Sequence, residues 1–149
     1  MRAVAQRVLQ AQVKVNSQII GQIGKGLLVY ISIAKSDSGE DAQFIADKVV
    51  HMRIFADENE KMNLSIQDVA GEALVVSEFT LHGDCRKGRR PAFDASADAV
   101  LAEELYQKTI ALIRDQKVPV ETGKFAAHME VTSINDGPVT FLLDSSRLF

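Results

Sequence analysis

A chain of 149 residues with a formal net charge of −3 is long enough to close a hydrophobic core without staples. It is too acidic overall for its whole surface to bind nucleic acid. One cysteine excludes an internal disulfide framework and a multi-cysteine zinc site, and suits a reducing cytosol. The opening segment MRAVAQRVLQAQVKV lacks a long apolar h-region and a cleavage signature, and no run of about 18 apolar residues occurs. The expectation is one cytoplasmic domain, 1–149, with no membrane span.

Residues 2–15 alternate, with Ala3, Ala5, Leu9, Ala11, Val13 and Val15 in one parity and Gln6, Gln10, Gln12 and Lys14 in the other, which predicts a long half-buried strand. Asn16–Gln18 turns it, and IIGQIGKGLLVYISIA predicts two further strands hinged at Gly24 and Gly26. Ser38 with Asp41 three residues on reads as a capping box opening a helix whose apolar face is Ala42, Ile45, Val49 and Met52. DENEK is a turn, MNLSI a short extended piece, and EALVVSEFTL a strand. Residues 82–95 form a polar loop. A second helix is expected from about Ser96 to Asp115, with Leu101, Leu105 and Leu112 inward. HMEVTSI and VTFLLD read as two strands joined by a turn at NDGP. The order lacks regular βαβ alternation, so the fold class is α+β with a mainly antiparallel sheet and two main helices.

Three features interrupt these patterns. Arg7 falls in the apolar parity of the first strand, either as a bulge or dimer contact, or as a buried guanidinium holding a carbonyl or carboxylate. Arg86, Lys87, Arg89 and Arg90 crowd a loop next to the strand that carries Ser77 and Thr80; they are either solvated or a phosphate-binding patch. Asn135–Thr140, NDGPVT, is rich in turn formers. Cys85 near His82 lacks a Cys-His signature and reads as a small free cysteine. His51, His82 and His128 show no metal-ligand spacing, and no nucleotide-binding glycine loop occurs, so neither metal nor cofactor is expected.

Taken in order, MRAVAQRV, GKGLLV, RIF, KMNLS, LVVSEFTL, CRKGRRP, ETGKF and NDGPVT resemble the D-aminoacyl-tRNA deacylase family across almost the whole chain. The diagnostic pair is SEFTL, matching Ser-Gln-x-x-Leu, and NDGPVT, matching Asn-x-Gly-Pro-x-Thr. The resemblance implies a barrel-like, deacylase-type fold and a homodimer that hydrolyses the ester between a D-amino acid, or mischarged glycine, and the 3′ end of tRNA. It implies a catalytic segment of Ser77, Glu78, Phe79 and Thr80. It also implies a cis Gly137–Pro138 turn reaching into the partner's site as a chiral filter, with Arg7 fixing it and Thr140 in the same motif. The basic loop would then grip phosphates of the acceptor end. Glu78 stands where the family usually has Gln, and a carboxylate cannot donate a hydrogen bond when ionised. LHGD and FAAHM depart from Leu-Tyr-Ala-Asp and Phe-Gly-Ala-Asp-Met, so His82 and His128 read as variations.

Ester hydrolysis needs an attacking oxygen and donors for the developing oxyanion. No base for Thr80 is evident from its sequence neighbours, and the resemblance implies a scheme in which water attacks, aided by the vicinal ribose hydroxyl, with the Phe79 and Thr80 amides holding the oxyanion. Thr80 as nucleophile is the alternative. The rival functions are an RNA-binding module without catalysis and a general small-molecule esterase.

Overall fold

The structure, a computed structural model, describes residues 1–148. Its strands are β1 (Arg2–Val15), β2 (Gln18–Ile23), β3 (Gly26–Ser32), β4 (Phe55–Ala56), β5 (Met62–Leu64), β6 (Glu72–Ser77), β7 (Val120–Thr122) and β8 (Glu130–Asp144). Its α-helices are α1 (Gly39–His51) and α2 (Ala99–Asp115). The main sheet runs β2-β1-β3-β6-β7, with β8 along the other edge of β1, and β4 and β5 form a separate small pair. The class is α+β, and β1 pairs antiparallel with β2, β3 and β8. The β3–β6 and β6–β7 pairs are parallel, the minority in a sheet that is mainly antiparallel as expected. Each of these joins is spanned by a helix, because a parallel return needs a crossover.

That arrangement buries the middle strands on both faces. Leu27, Val29, Ile31, Ala73 and Val75 pack under the two helices, while Leu28, Leu74 and Val76 join a second cluster with Val8, Ala11, Val13 and Ile23. This accounts for the nearly continuous apolar runs of β3 and β6, as expected for parallel strands covered on both sides.

β1 serves both clusters by changing parity. Ala3 and Ala5 face the helices, Val8, Ala11 and Val13 face the second cluster, and its register with β8 slips between Gln6 and Val8 and between Val8 and Gln10. Uninterrupted alternation would bury Leu9; the slip leaves it 52% exposed. The β1–β2 turn puts Asn16 and Ser17 at positive φ.

Ser38 caps α1 in a full capping box with Asp41. α2 starts at Ala99, later than the sequence pattern suggests, because Asp98 rather than Ser96 accepts from the Leu101 amide. Its buried stripe is Leu105, Tyr106, Thr109, Ile110 and Ile113, with Leu101 and Leu112 only half-buried at its margins. β7, within KVPVETGKF, has no strong sequence signature; it exists because α2 delivers it alongside β6.

The sheet curls until β2 approaches β7, giving a nearly closed barrel. Gly21 marks the contact: a Cβ there would lie 2.5 Å from the Thr122 carbonyl oxygen. Gly21→Ala forces those backbones apart, and overpacking of this kind costs about 1–3 kcal/mol. A lower Tm in thermal unfolding is the expected outcome; an unchanged Tm would show that the barrel edges do not meet there.

Candidate active site

β6 ends at the segment singled out in the sequence. Ser77 pairs with Ile31, the Glu78 amide extends the ladder by donating to the Ile31 carbonyl at 2.8 Å, and the chain then tightens into a 3-10 turn, Phe79–His82. Within the turn, Leu81 N donates to Glu78 O at 3.3 Å and Gly83 N to Thr80 O at 2.9 Å. The Phe79 and Thr80 amides precede the first of these bonds, so no carbonyl of the turn is in register to accept from them.

The Phe79 carbonyl faces the other way, toward the hydroxyls of Ser32 at 3.2 Å and Ser96 at 3.4 Å. The Thr80 hydroxyl donates to Glu78 Oε1. Thus the sequence's missing partner for Thr80 lies two residues upstream, and Glu78 accepts its proton as a carboxylate can. The Phe79 ring, 59% exposed, meets Phe93 edge-on at 5.0 Å between centroids.

Beside this turn lies a cavity of about 510 Å³ lined by Ser32, Ser77, Glu78, Phe79 and Ser96, and on its far wall by Phe125–Met129. Tyr30 lies in its wall, its pKa raised by burial and then by the Glu78 charge. His128 borders the cavity and is exposed. Ser32 and Ser96 carried no sequence signal, since their role depends on β3 and the start of α2 meeting the 3-10 turn.

The NDGP segment does not reverse the chain. β8 is one strand antiparallel to β1, and it spends five steps, Asn135 to Thr140, against two of β1, Val8 to Gln6. The surplus loops outward between the two expected strands. Its neck is tied by Asn135 Nδ2 to Thr140 Oγ1 at 3.0 Å, by Val139 N to Asn135 Oδ1 at 2.9 Å, and by Gln6 Nε2 to Thr140 Oγ1 at 3.3 Å.

Arg7 lies under this excursion. Its Nε contacts the Asp136 carboxylate at 3.0 Å and donates to the Asp136 carbonyl at 3.3 Å, while Nη1 donates to Ile54 O at 2.6 Å. The Gly137–Pro138 bond is cis, and Gly137 has φ 130°, where an L side chain is disfavoured. Gly137 and Pro138 are exposed and do not line the 510 Å³ cavity. Ser77 aligns through Ile31 with Ala3, four residues from Arg7 and three strands from β8, a separation on the order of 15–20 Å at ordinary sheet spacings.

The basic loop is exposed, but its charges are unequal. Arg86 grips Asp84 in a fork at 2.9 and 2.7 Å, which holds the Asp84 carboxyl far below the usual carboxylate range. Lys87, Arg89 and Arg90 form no ion pair among the described residues. Cys85 is free and exposed.

These features fit one known architecture. A profile described as "D-Tyr-tRNA(Tyr) deacylase" matches residues 4–144. D-aminoacyl-tRNA deacylases of Fervidobacterium nodosum and Clostridium botulinum (strain Alaska E43) are 54% and 56% identical to the chain over 149 residues, covering 100% of both sequences in each comparison. The chain belongs to the D-aminoacyl-tRNA deacylase family. Of solved structures, "c-Myc DNA Unwinding Element Binding Protein" superposes with a TM-score of 0.91 at 35% identity, covering 97% of this chain and 98% of that one. A "probable eukaryotic D-amino acid tRNA deacylase" shares the fold at TM-score 0.80 and 18% identity, covering 95% and 97%.

For this member of the deacylase family the Arg7 contacts make a checkable statement about the excursion. Arg7→Ala strands the buried Ile54 carbonyl, at a cost of about 1–3 kcal/mol, and releases Asp136 to solvent. The Val139 amide should then exchange with solvent faster while amides of β3 and β6 stay protected. Uniformly unchanged protection would show that Arg7 does not hold the excursion.

Proposed function

We propose that the chain acts in the cytoplasm, as a single catalytic domain spanning 1–149, and hydrolyses D-aminoacyl-tRNA and mischarged glycyl-tRNA while sparing L-aminoacyl-tRNA. The observation that carries this reading is the pair of amides at Phe79 and Thr80, left without acceptors in a turn whose Phe79, but not Thr80, lines the cavity of about 510 Å³. Donors fixed in advance of the reaction are what a developing oxyanion needs. Water adds to the ester carbonyl, the vicinal ribose hydroxyl assists, and the Phe79 and Thr80 amides receive the negative charge on oxygen. Collapse breaks the acyl–oxygen bond and the ribose oxygen takes a proton, releasing free tRNA and the amino acid.

The chiral filter is the Gly137–Pro138 excursion of a second subunit. Its distance from the Ser77–Thr80 segment of its own chain supports a site completed by a partner. So do the exposed apolar side chains of Leu9, Ile19, Ile20, Ile134, Phe141 and Leu142 on β1, β2 and β8, the strands next to the excursion. Fitting a side chain discriminates by only about 1–3 kcal/mol per methylene. A backbone that clashes with the wrong enantiomer excludes it outright. Carbonyls at Gly137 and Pro138, anchored through Arg7, would occupy the place of an L side chain and leave a D side chain unread.

The Thr80–Glu78 contact favours a second reading of one step, in which Glu78 draws the proton from an attacking Thr80 hydroxyl. Both readings are tested in one assay, following ester loss from D- and L-aminoacyl-tRNA carrying the same amino acid. The D ester should be lost and the L ester kept, and Thr80→Ala should slow the reaction while leaving measurable turnover. Equal rates on the two enantiomers would refute the filter, an acyl-enzyme on Thr80 would establish the second reading, and tRNA binding without turnover would make the protein a binding module.

Lys87, Arg89 and Arg90 would hold acceptor-end phosphates, with Arg86 contributing less because Asp84 already neutralises it. Replacing those three with Ala should weaken tRNA binding and lower the slope of log K against log[salt] by about 0.7–0.9 for each phosphate no longer neutralised. Arg86→Ala should change it little. An unchanged slope in the triple variant would return the loop to a merely solvated role.

A further inference from the structure

Ser32 is 1% exposed at the end of β3, and its single hydroxyl proton stands between two partners. Its Oγ lies 3.2 Å from the Phe79 carbonyl and 2.6 Å from His82 Nδ1. A carbonyl only accepts, so the Ser32 proton reaches Phe79 only if Ser32 in turn accepts from His82, which requires a proton on Nδ1. With the proton on Nδ1 the three groups form a one-way row, imidazole N–H to hydroxyl to carbonyl, in which each bond polarises the next.

The far end of this row bears on the chemistry. The Phe79 carbonyl and the Thr80 amide belong to one planar trans peptide, so they point in opposite directions. Holding the carbonyl toward Ser32, with Ser96 at 3.4 Å and the His82 amide of the 3-10 turn as its further donors, aims the Thr80 N–H the opposite way. His82 is 8% exposed, and burial, followed by the charges of Arg2 and the N-terminal ammonium, lowers its pKa against the opposing pull of Asp37 and Asp144. A neutral ring carries one proton: on Nδ1 it donates to Ser32, on Nε2 it leaves Nδ1 to accept from Ser32, and the row to Phe79 requires the Nδ1–H form.

Resting on the Phe79 and Thr80 amides as oxyanion donors, we propose that His82 is a positioning residue for deacylation: it donates through Ser32 to the Phe79 carbonyl and so locks the peptide that presents the Thr80 amide to the ester.

The test compares Ser32→Ala, His82→Leu, His82→Asn and the Ser32→Ala/His82→Leu double variant on D-aminoacyl-tRNA, with ¹⁵N shifts of the His82 ring measured in the unmodified protein. Ser32→Ala and His82→Leu should each lower kcat about tenfold or more with KM unchanged, since misplacement by an ångström can cost about 10²-fold. His82→Asn, which keeps a side-chain N–H near the Nδ1 position, should recover most of the rate. The double variant should be no slower than the slower single one, and the ring shifts should report a protonated Nδ1. An unprotonated Nδ1 would overturn the proposal by removing the row itself. A protonated Nδ1 with unchanged kcat in Ser32→Ala would overturn it by showing that the row does not position the catalytic peptide, while leaving the oxyanion reading to the assay on D- and L-aminoacyl-tRNA. Additive losses, or no recovery in His82→Asn, would also overturn it.

Discussion

The guanidinium of Arg7 is the contact on which the arrangement turns. β1 must feed two cores, and it does so by slipping register around this residue. The slip creates room opposite β8 for the outward excursion and directs a charge beneath it. Burying a guanidinium is costly unless it is fully engaged. Here the Ile54 carbonyl, the Asp136 carbonyl and the Asp136 carboxylate all receive it, and charge-assisted bonds of this kind are among the stronger ones available. One residue therefore reconciles the kink in β1, the small β4–β5 flap behind Ile54 and the set of the Gly137–Pro138 segment.

The other half of the site is fixed by different means. Two parallel joins place the end of β6 beside Ser32 of β3 and Ser96 before α2, and the 3-10 turn closes against both hydroxyls. In the proposed reaction, recognition is strict in handedness and permissive in side chain. A fixed backbone can reject a shape without reading an identity, whereas a side-chain pocket tied to rotamers reads identity with modest discrimination.

Much of this was legible in the chain. The alternation of β1, the capping box at Ser38, the two helices and the SEFTL and NDGPVT segments carry local signals. The inward parity of Arg7 announced a charge needing partners. What was not legible depends on contacts far apart in sequence. Leu9 is exposed because a register slip reverses the pattern midway. Residues 135–140 look like a hairpin turn but loop out of a continuous strand, since turn formers signal a departure from the ladder and not its direction. Ser32, Ser96 and the Phe125–Met129 wall have ordinary local sequence and acquire their place only through the crossover helices. The Glu78–Thr80 contact was not read from the sequence, although i and i+2 share a face of an extended strand; it forms where Glu78 caps the 3-10 turn.

The central claim is that each active site combines the Ser77–Thr80 turn of one subunit with the Gly137–Pro138 excursion of another. Subunit complementation tests it most directly. A chain disabled in its 3-10 turn and a chain carrying a bulky residue at position 137, each inactive alone, are co-expressed and assayed on D-aminoacyl-tRNA. A shared site predicts that activity returns, because one site in each mixed dimer then has both parts intact. Mixed dimers that form but remain inactive would contradict it, since a site built within one subunit would still carry one of the two defects.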